Sequence, residues 1–144
     1  MDLRRTIRIG DKVVERRHTG RAWDLSISVG RMDLHDVLLG LLLLHFGKID
    51  SLAVEADKKV IIGLGRDLSC VSRDTNSYRV VLSKSDLEAV LSFLLEYERD
   101  GRAPVNHIDI ESTAKERDDG AALIIRAEDS APPLSADEAR RALG

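Results

Sequence analysis

Apolar and polar residues alternate through most of the first thirty positions, in three runs, Leu3–Ile9, Lys12–His18 and Arg21–Val29. Gly10-Asp11 and Thr19-Gly20 separate them and have the chemistry of tight turns, so the pattern predicts a three-stranded meander. In the third run Trp23, Leu25, Ile27 and Val29 share one face, while Asp24, Ser26 and Ser28 share the other. From Asp33 the period lengthens to that of a helix, with Asp33 as the expected N-cap, Asp36 in the first turn and Gly47 after Phe46 as the stop.

Strand patterning then returns. Ser51–Ala56 and Val60–Leu64 flank Asp57-Lys58-Lys59 as a hairpin, and Leu68–Val71 and Tyr78–Leu82 follow around a turn at Asp74–Ser77. Ser85 with Glu88 has capping-box spacing, and Leu87, Val90, Leu91, Leu94 and Leu95 keep a helical period until Gly101 and Pro104 end it. Val105–Glu111 and Ala121–Ala127 read as a last hairpin. Pro132-Pro133 breaks the chain, and Ser135 with Glu138 opens a short terminal helix. The expected class is therefore α+β: one mainly antiparallel sheet, two long helices and a short C-terminal helix, in the order βββα-ββββ-α-ββ-α.

The two long helices echo one another. Asp33, Leu34, Val37, Leu38, Leu41 and Leu42 match Asp86, Leu87, Val90, Leu91, Leu94 and Leu95, each pair 53 positions apart. Leu52, Val54 and Glu55 likewise parallel Ile108, Ile110 and Glu111, and Ile61-Ile62 parallel Ile124-Ile125, with the extra residues falling where loops are expected. The echo suggests a duplicated strand, helix, strand, strand unit spanning 21–74 and 77–128 within a single domain, 1–144. That order is similar to the topology of sliding-clamp domains, whose paired helices face DNA. The outward helix faces here carry Leu39, Leu43 and Phe46 on one side and Glu88 and Glu96 on the other, which does not suit a polyanion.

Aligning the helices isolates one unusual surface. Where the second helix has Ser92, Glu96 and Arg99, the first has Leu39, Leu43 and Phe46, on a face turned away from the shared Leu/Val stripe. Burying such a side chain is worth about 1.5–3 kcal/mol, so a cover is expected over these three. The candidates are the N-terminal strands, the C-terminal helix, a partner protein or second copy, or an apolar ligand.

Composition narrows the function classes without choosing one. The 144 residues are 43% hydrophobic and 33% charged, suited to a globular chain, and the single Cys70 excludes an internal disulfide. The greasiest run, Val37–Leu44, is interrupted by Gly40 and is too short to span a bilayer; with no secretory pattern, a cytoplasmic protein is expected. Charge runs from basic to acidic: residues 1–31 hold eight Lys/Arg against four Asp/Glu, and residues 86–144 seven against fourteen. Arg4, Arg5, Arg8, Arg16, Arg17 and Arg21 offer phosphate contacts, but aromatics are only 3% and the net charge is −3, which disfavours nucleic acid.

Catalytic signatures are sparse. His107, Asp109 and Glu111 alternate with Ile108 and Ile110, so they share a strand face with two readings, a metal site or an ordinary polar outer face. Gly63-Leu64-Gly65 lacks the third glycine and the helix of a dinucleotide fingerprint, and Cys70 has no nucleophile elbow. His45, near a helix end, suits a dipole or carbonyl contact better than catalysis. The sequence thus points to a non-catalytic, cofactor-free protein-binding or self-assembling domain, an adaptor, chaperone-like or immunity-type protein, acting through Leu39, Leu43 and Phe46 as a homodimer or on a protein partner. The rival readings are a metal protein or enzyme at His107, Asp109 and Glu111, and a nucleic-acid binder at the N-terminal arginines.

Overall fold

A computed structural model describes residues 3–10, 13–17, 23–101, 105, 107–111 and 122–127. They form an α+β fold of nine strands and two helices: β1 (Arg4–Arg8), β2 (Val13–Arg17), β3 (Trp23–Val29), α1 (Arg31–His45), β4 (Ser51–Glu55), β5 (Lys59–Leu64), β6 (Cys70–Arg73), β7 (Ser77–Leu82), α2 (Lys84–Asp100), β8 (His107–Glu111) and β9 (Ala122–Ala127). The terminal helix expected from Ser135 lies outside the described residues, as does the loop expected at 115–120.

There are two mixed sheets rather than one mainly antiparallel sheet. One has the order β1-β4-β5-β7-β6 and the other β2-β3-β9-β8. The N-terminal meander does not form. β2 and β3 pair antiparallel as a hairpin, but β1 leaves them and lies parallel to β4 in the other sheet. Its Ile7 and the following Ile9 are buried there, and the Ile9 amide donates to the Glu55 carbonyl at 2.9 Å. Gly10 is therefore a crossing point between sheets and not a hairpin turn.

The hairpins β4-β5, β6-β7 and β8-β9 are antiparallel, and parallel pairings β5-β7 and β3-β9 stitch them together. The second sheet repeats the pattern of four strands of the first. β4-β5-β7-β6 has the same order and the same pairing senses as β8-β9-β3-β2. The registers correspond too: Leu52 opposite Ile62 matches Ile108 opposite Ile125, and Val60 opposite Tyr78 matches Leu123 opposite Leu25. β1 has no counterpart among the described residues.

The helices run antiparallel beside each other. The Arg31 guanidinium at the start of α1 lies by Gly101 at the end of α2, while His45 at the end of α1 meets Glu88 in the first turns of α2. Both helices start earlier than their sequences suggest. α2 is capped by Ser83, whose hydroxyl accepts from the Asp86 amide at 3.1 Å, so Ser85 lies inside the helix. α1 begins after Gly30, which offers no side chain; Asp33 sits one turn in and accepts from the Gly10 amide at 2.9 Å. Each helix ends at a left-handed glycine, Gly47 (φ 71) and Gly101 (φ 73), a conformation that costs other residues a Cβ clash.

One continuous core joins both sheets and both helices, including Trp23, Leu25, Leu44, Leu52, Leu82, Leu87, Leu94, Tyr97 and Leu123. The helices meet it differently. At Gly40, α1 lies against Leu52 of β4 so closely that an added Cβ would stand 2.6 Å from a Leu52 methyl. The matching position of α2 is Phe93, buried like Tyr97, so the second helix fills its contact with aromatic rings. Leu95, expected in that contact, is 46% exposed instead. Ser26, on the expected polar face of β3, is buried and accepts from Arg126 Nε at 3.0 Å.

Gly40→Val forces a branched side chain against fully buried Leu52, and urea unfolding is expected to show a loss of about 1–3 kcal/mol. Ser83→Ala removes the α2 cap and is expected to cost about 1 kcal/mol in the same measurement.

Candidate functional site

Helix α1 buries Leu34, Val37, Leu38, Leu41 and Leu44 against the core, the stripe that its period prescribes. The side chains between those positions must point elsewhere, and several of them are apolar. Leu39 is 38% exposed, Phe46 68%, and Leu43 is half-buried. Neither the described strands nor α2 covers them. Their counterparts on α2, Ser92, Glu96 and Arg99, are exposed.

Met32, missed in the sequence reading, extends the same stripe and is 93% exposed. It stands one heptad before Leu39, and Phe46 stands one heptad after, so the three lie along one line of the helix. A spacing of seven was the available signal, but Met32 lies ahead of the helix start inferred from Asp33. The ring of Phe46 meets His45 edge-on with centroids 5.1 Å apart.

The polar frame of this stripe is tied to the helix pair. His45 Nε2 lies 3.3 Å from Glu88 Oε1, joining the end of α1 to the start of α2. At the other end of α2, Arg99 donates two hydrogen bonds to Asp100, at 2.9 and 3.0 Å. Those hydrogen bonds, with the pair's mutual attraction, hold the Asp100 carboxyl below its ordinary range and raise the Arg99 guanidinium. Arg99 is thus a hydrated ion-pair member where α1 presents Phe46.

A second feature is a polar cleft of about 660 Å³ at the tips of the β4-β5 and β6-β7 hairpins, bordered by Asp57, Lys58, Lys59, Arg73, Asp74 and Tyr78. Most of its charges are engaged. Glu15 of β2 receives Arg73 Nε at 3.1 Å and the Tyr78 hydroxyl at 3.1 Å, and the Asp57 carboxylate accepts from the Val13 amide at 3.0 Å. The Arg73 guanidinium lies 4.4 Å from the centre of the buried Trp23 ring. These bonds join β2 and β3 of one sheet to β6 and β7 of the other, which makes the cleft wall a seam between sheets.

The other candidates do not assemble. His107 and Asp109 approach at 3.5 Å on β8, Glu111 is exposed on the same strand, and among the described residues no three His, Cys, Asp or Glu side chains gather as metal ligands. The basic N-terminal segment is divided by the departure of β1. Arg4 and Arg8 lie at the edge of one sheet and Arg16 on β2 of the other, Arg8 pairs with Glu55 at 3.5 Å, and Arg21 lies outside the described residues. Cys70 is a half-buried free thiol. No helix among the described residues is long and apolar enough to cross a membrane.

The seam yields its own test. Glu15→Ala leaves Arg73 and Tyr78 without their shared acceptor, and a loss of about 1–3 kcal/mol is expected in urea unfolding, with the native fold retained by circular dichroism. Neither protein-family models nor curated proteins gave any match to this chain.

Proposed function

We propose that this chain is a non-catalytic protein-binding domain that self-assembles through the outer stripe of α1. One observation carries the reading: Met32, Leu39 and Phe46 remain exposed and Leu43 half-exposed in a chain whose second helix has polar residues at every matching position. An apolar line of this kind on a folded surface marks a contact with another molecule.

Spacing favours a second copy as that molecule. In an antiparallel crossing of two α1 helices about a twofold axis, Leu39 lies over its own copy, and Met32 of each chain meets Phe46 of the other, because the two flank Leu39 by the same seven residues. Such a contact is self-complementary and closes at two subunits. The helix dipoles oppose one another in it, a further favourable term.

The matched pairings of the two sheets support reading the chain as a doubled unit. On that reading one unit runs β2-β3-α1-β4-β5 and the other β6-β7-α2-β8-β9, so β6, which falls inside the expected 21–74, goes with the second unit and β2, ahead of residue 21, with the first. The halves then differ in purpose: α2 keeps a hydrated face, and α1 supplies the contact.

Sedimentation velocity over a concentration series tests self-assembly. The native chain is expected to sediment at about twice 16.0 kDa. Leu43→Glu removes about 1.5–3 kcal/mol of burial from each subunit and should weaken the dimer on the order of a hundredfold, with unchanged circular dichroism. A native chain that stays at 16.0 kDa throughout the series would overturn the proposal.

A further inference from the structure

The cleft at the tips of the β4-β5 and β6-β7 hairpins has two turns for walls. One is closed by the Ala56 amide donating to the Lys58 carbonyl at 3.1 Å, the other by the Asp74 amide donating to the Ser77 carbonyl at 2.8 Å. Between them β5 and β7 pair in parallel, with Lys59 beside Ser77 and Val60 beside Tyr78. The two turns are thus held side by side by a backbone ladder, at the same end of the sheet.

The charges of the cleft are not all balanced. Glu55 lies 3.5 Å from Arg8, the Asp57 carboxylate accepts from the Val13 amide, and Arg73 gives its Nε to Glu15. Lys58 is held by neutral groups instead. Its ammonium donates to the Tyr78 hydroxyl at 3.4 Å and stands 5.7 Å from the centre of the Tyr78 ring. Tyr78 is 7% exposed and its hydroxyl donates onward to Glu15 at 3.1 Å, so Lys58 is positioned by a fixed side chain that carries no charge to cancel its own. Lys59 follows directly and is half-buried; Glu55, opposite it in register, is the partner of Arg8. Among the described residues neither lysine forms an ion pair with a carboxylate.

Two adjacent ammonium groups, one of them preorganised, suit a phosphate. The other wall narrows the choice. It carries Asp74, Thr75 and Asn76, all exposed, and so offers hydroxyl, amide and carboxylate groups rather than further cations. The Asp74 carboxylate repels a second anionic group but accepts from a ligand hydroxyl. The cleft volume of about 660 Å³ falls among pockets that hold small organic molecules, and a bare phosphate would fill only a small part of it.

We propose that this cleft binds a sugar monophosphate, with the phosphate on Lys58 and Lys59 and the sugar hydroxyls toward Asp74 and Asn76. The cleft shares no residue with the α1 stripe, and its test is independent of oligomeric state.

The probe is ribose 5-phosphate, titrated into the intact protein and followed by calorimetry and by amide chemical shifts, with ribose and inorganic phosphate as separate arms. Ribose 5-phosphate is expected to bind about tenfold or more tighter than either, and to shift the amides of 56–59 and 74–78 before others. Lys58→Gln with Lys59→Gln should weaken it by about tenfold or more while leaving the urea midpoint near that of the native chain. Asp74→Asn should narrow the preference for ribose 5-phosphate over inorganic phosphate by about threefold or more, because it relieves the repulsion of a bare anion and weakens the hydroxyl contact. The proposal is overturned by no binding of ribose 5-phosphate at about 10 mM, by equal affinity for inorganic phosphate, by undiminished binding to the double lysine variant, by an unchanged preference in Asp74→Asn, or by shifts centred away from the two turns.

Discussion

Neither sheet can be built from a contiguous stretch of chain. β5 needs β7, and β3 needs β9, and both of these joints are parallel, so no short turn can make them. The connection between the parallel strands β3 and β9 spans nearly the whole described chain. Everything else in the fold is arranged to hold these joints: the antiparallel helices, the shared core, and the seam in which Glu15 holds Arg73 and Tyr78 across the two sheets. The seam is also where corresponding strands meet, since β2 and β6 occupy the same place in their respective sheets.

That arrangement gives the two helices unequal tasks. α1 lies tight on β4 because Gly40 has no side chain to hold it off, and it has leucines on several sides. A helix so placed can bury only part of its apolar girth. Phe93 and Tyr97 give α2 a broad buried face and leave its far side to Glu96 and Arg99. The exposed stripe of α1 is therefore a property of its sequence and not an accident of loose packing, because the positions facing the core are filled and the surplus lies outside them.

Local features were legible in the sequence, and long-range partners were not. The α1 and α2 segments, the hairpins β4-β5 and β8-β9, and the stops at Gly47 and Gly101 rest on periodicity and turn chemistry that act over a few residues. The departure of β1 was not readable, since an alternating strand records which side is buried but not which strand lies beside it. Both helix starts were placed too late: Ser85 has capping spacing as good as that of Ser83, and Gly30 carries no capping side chain at all. The same error hid Met32. Leu39, Leu43 and Phe46 stand out in the sequence because comparison of two like helices removes what both need for packing and leaves what only one carries.

The parallel joint between β3 and β9 sets a timetable for the chain as it is made. β3 leaves the ribosome ahead of every described strand but β1 and β2, and its partner along Asp24–Val29 is the last described strand to follow. Until residue 127 emerges, Leu25 and Ile27 have only β2 beside them in their sheet, while β1, β4, β5, β6 and β7 can already assemble the other. The first sheet is thus a scaffold ready in advance, and the second is sealed only once β9 has emerged, so a chain halted before that point would display an open greasy edge of the kind that recruits chaperones.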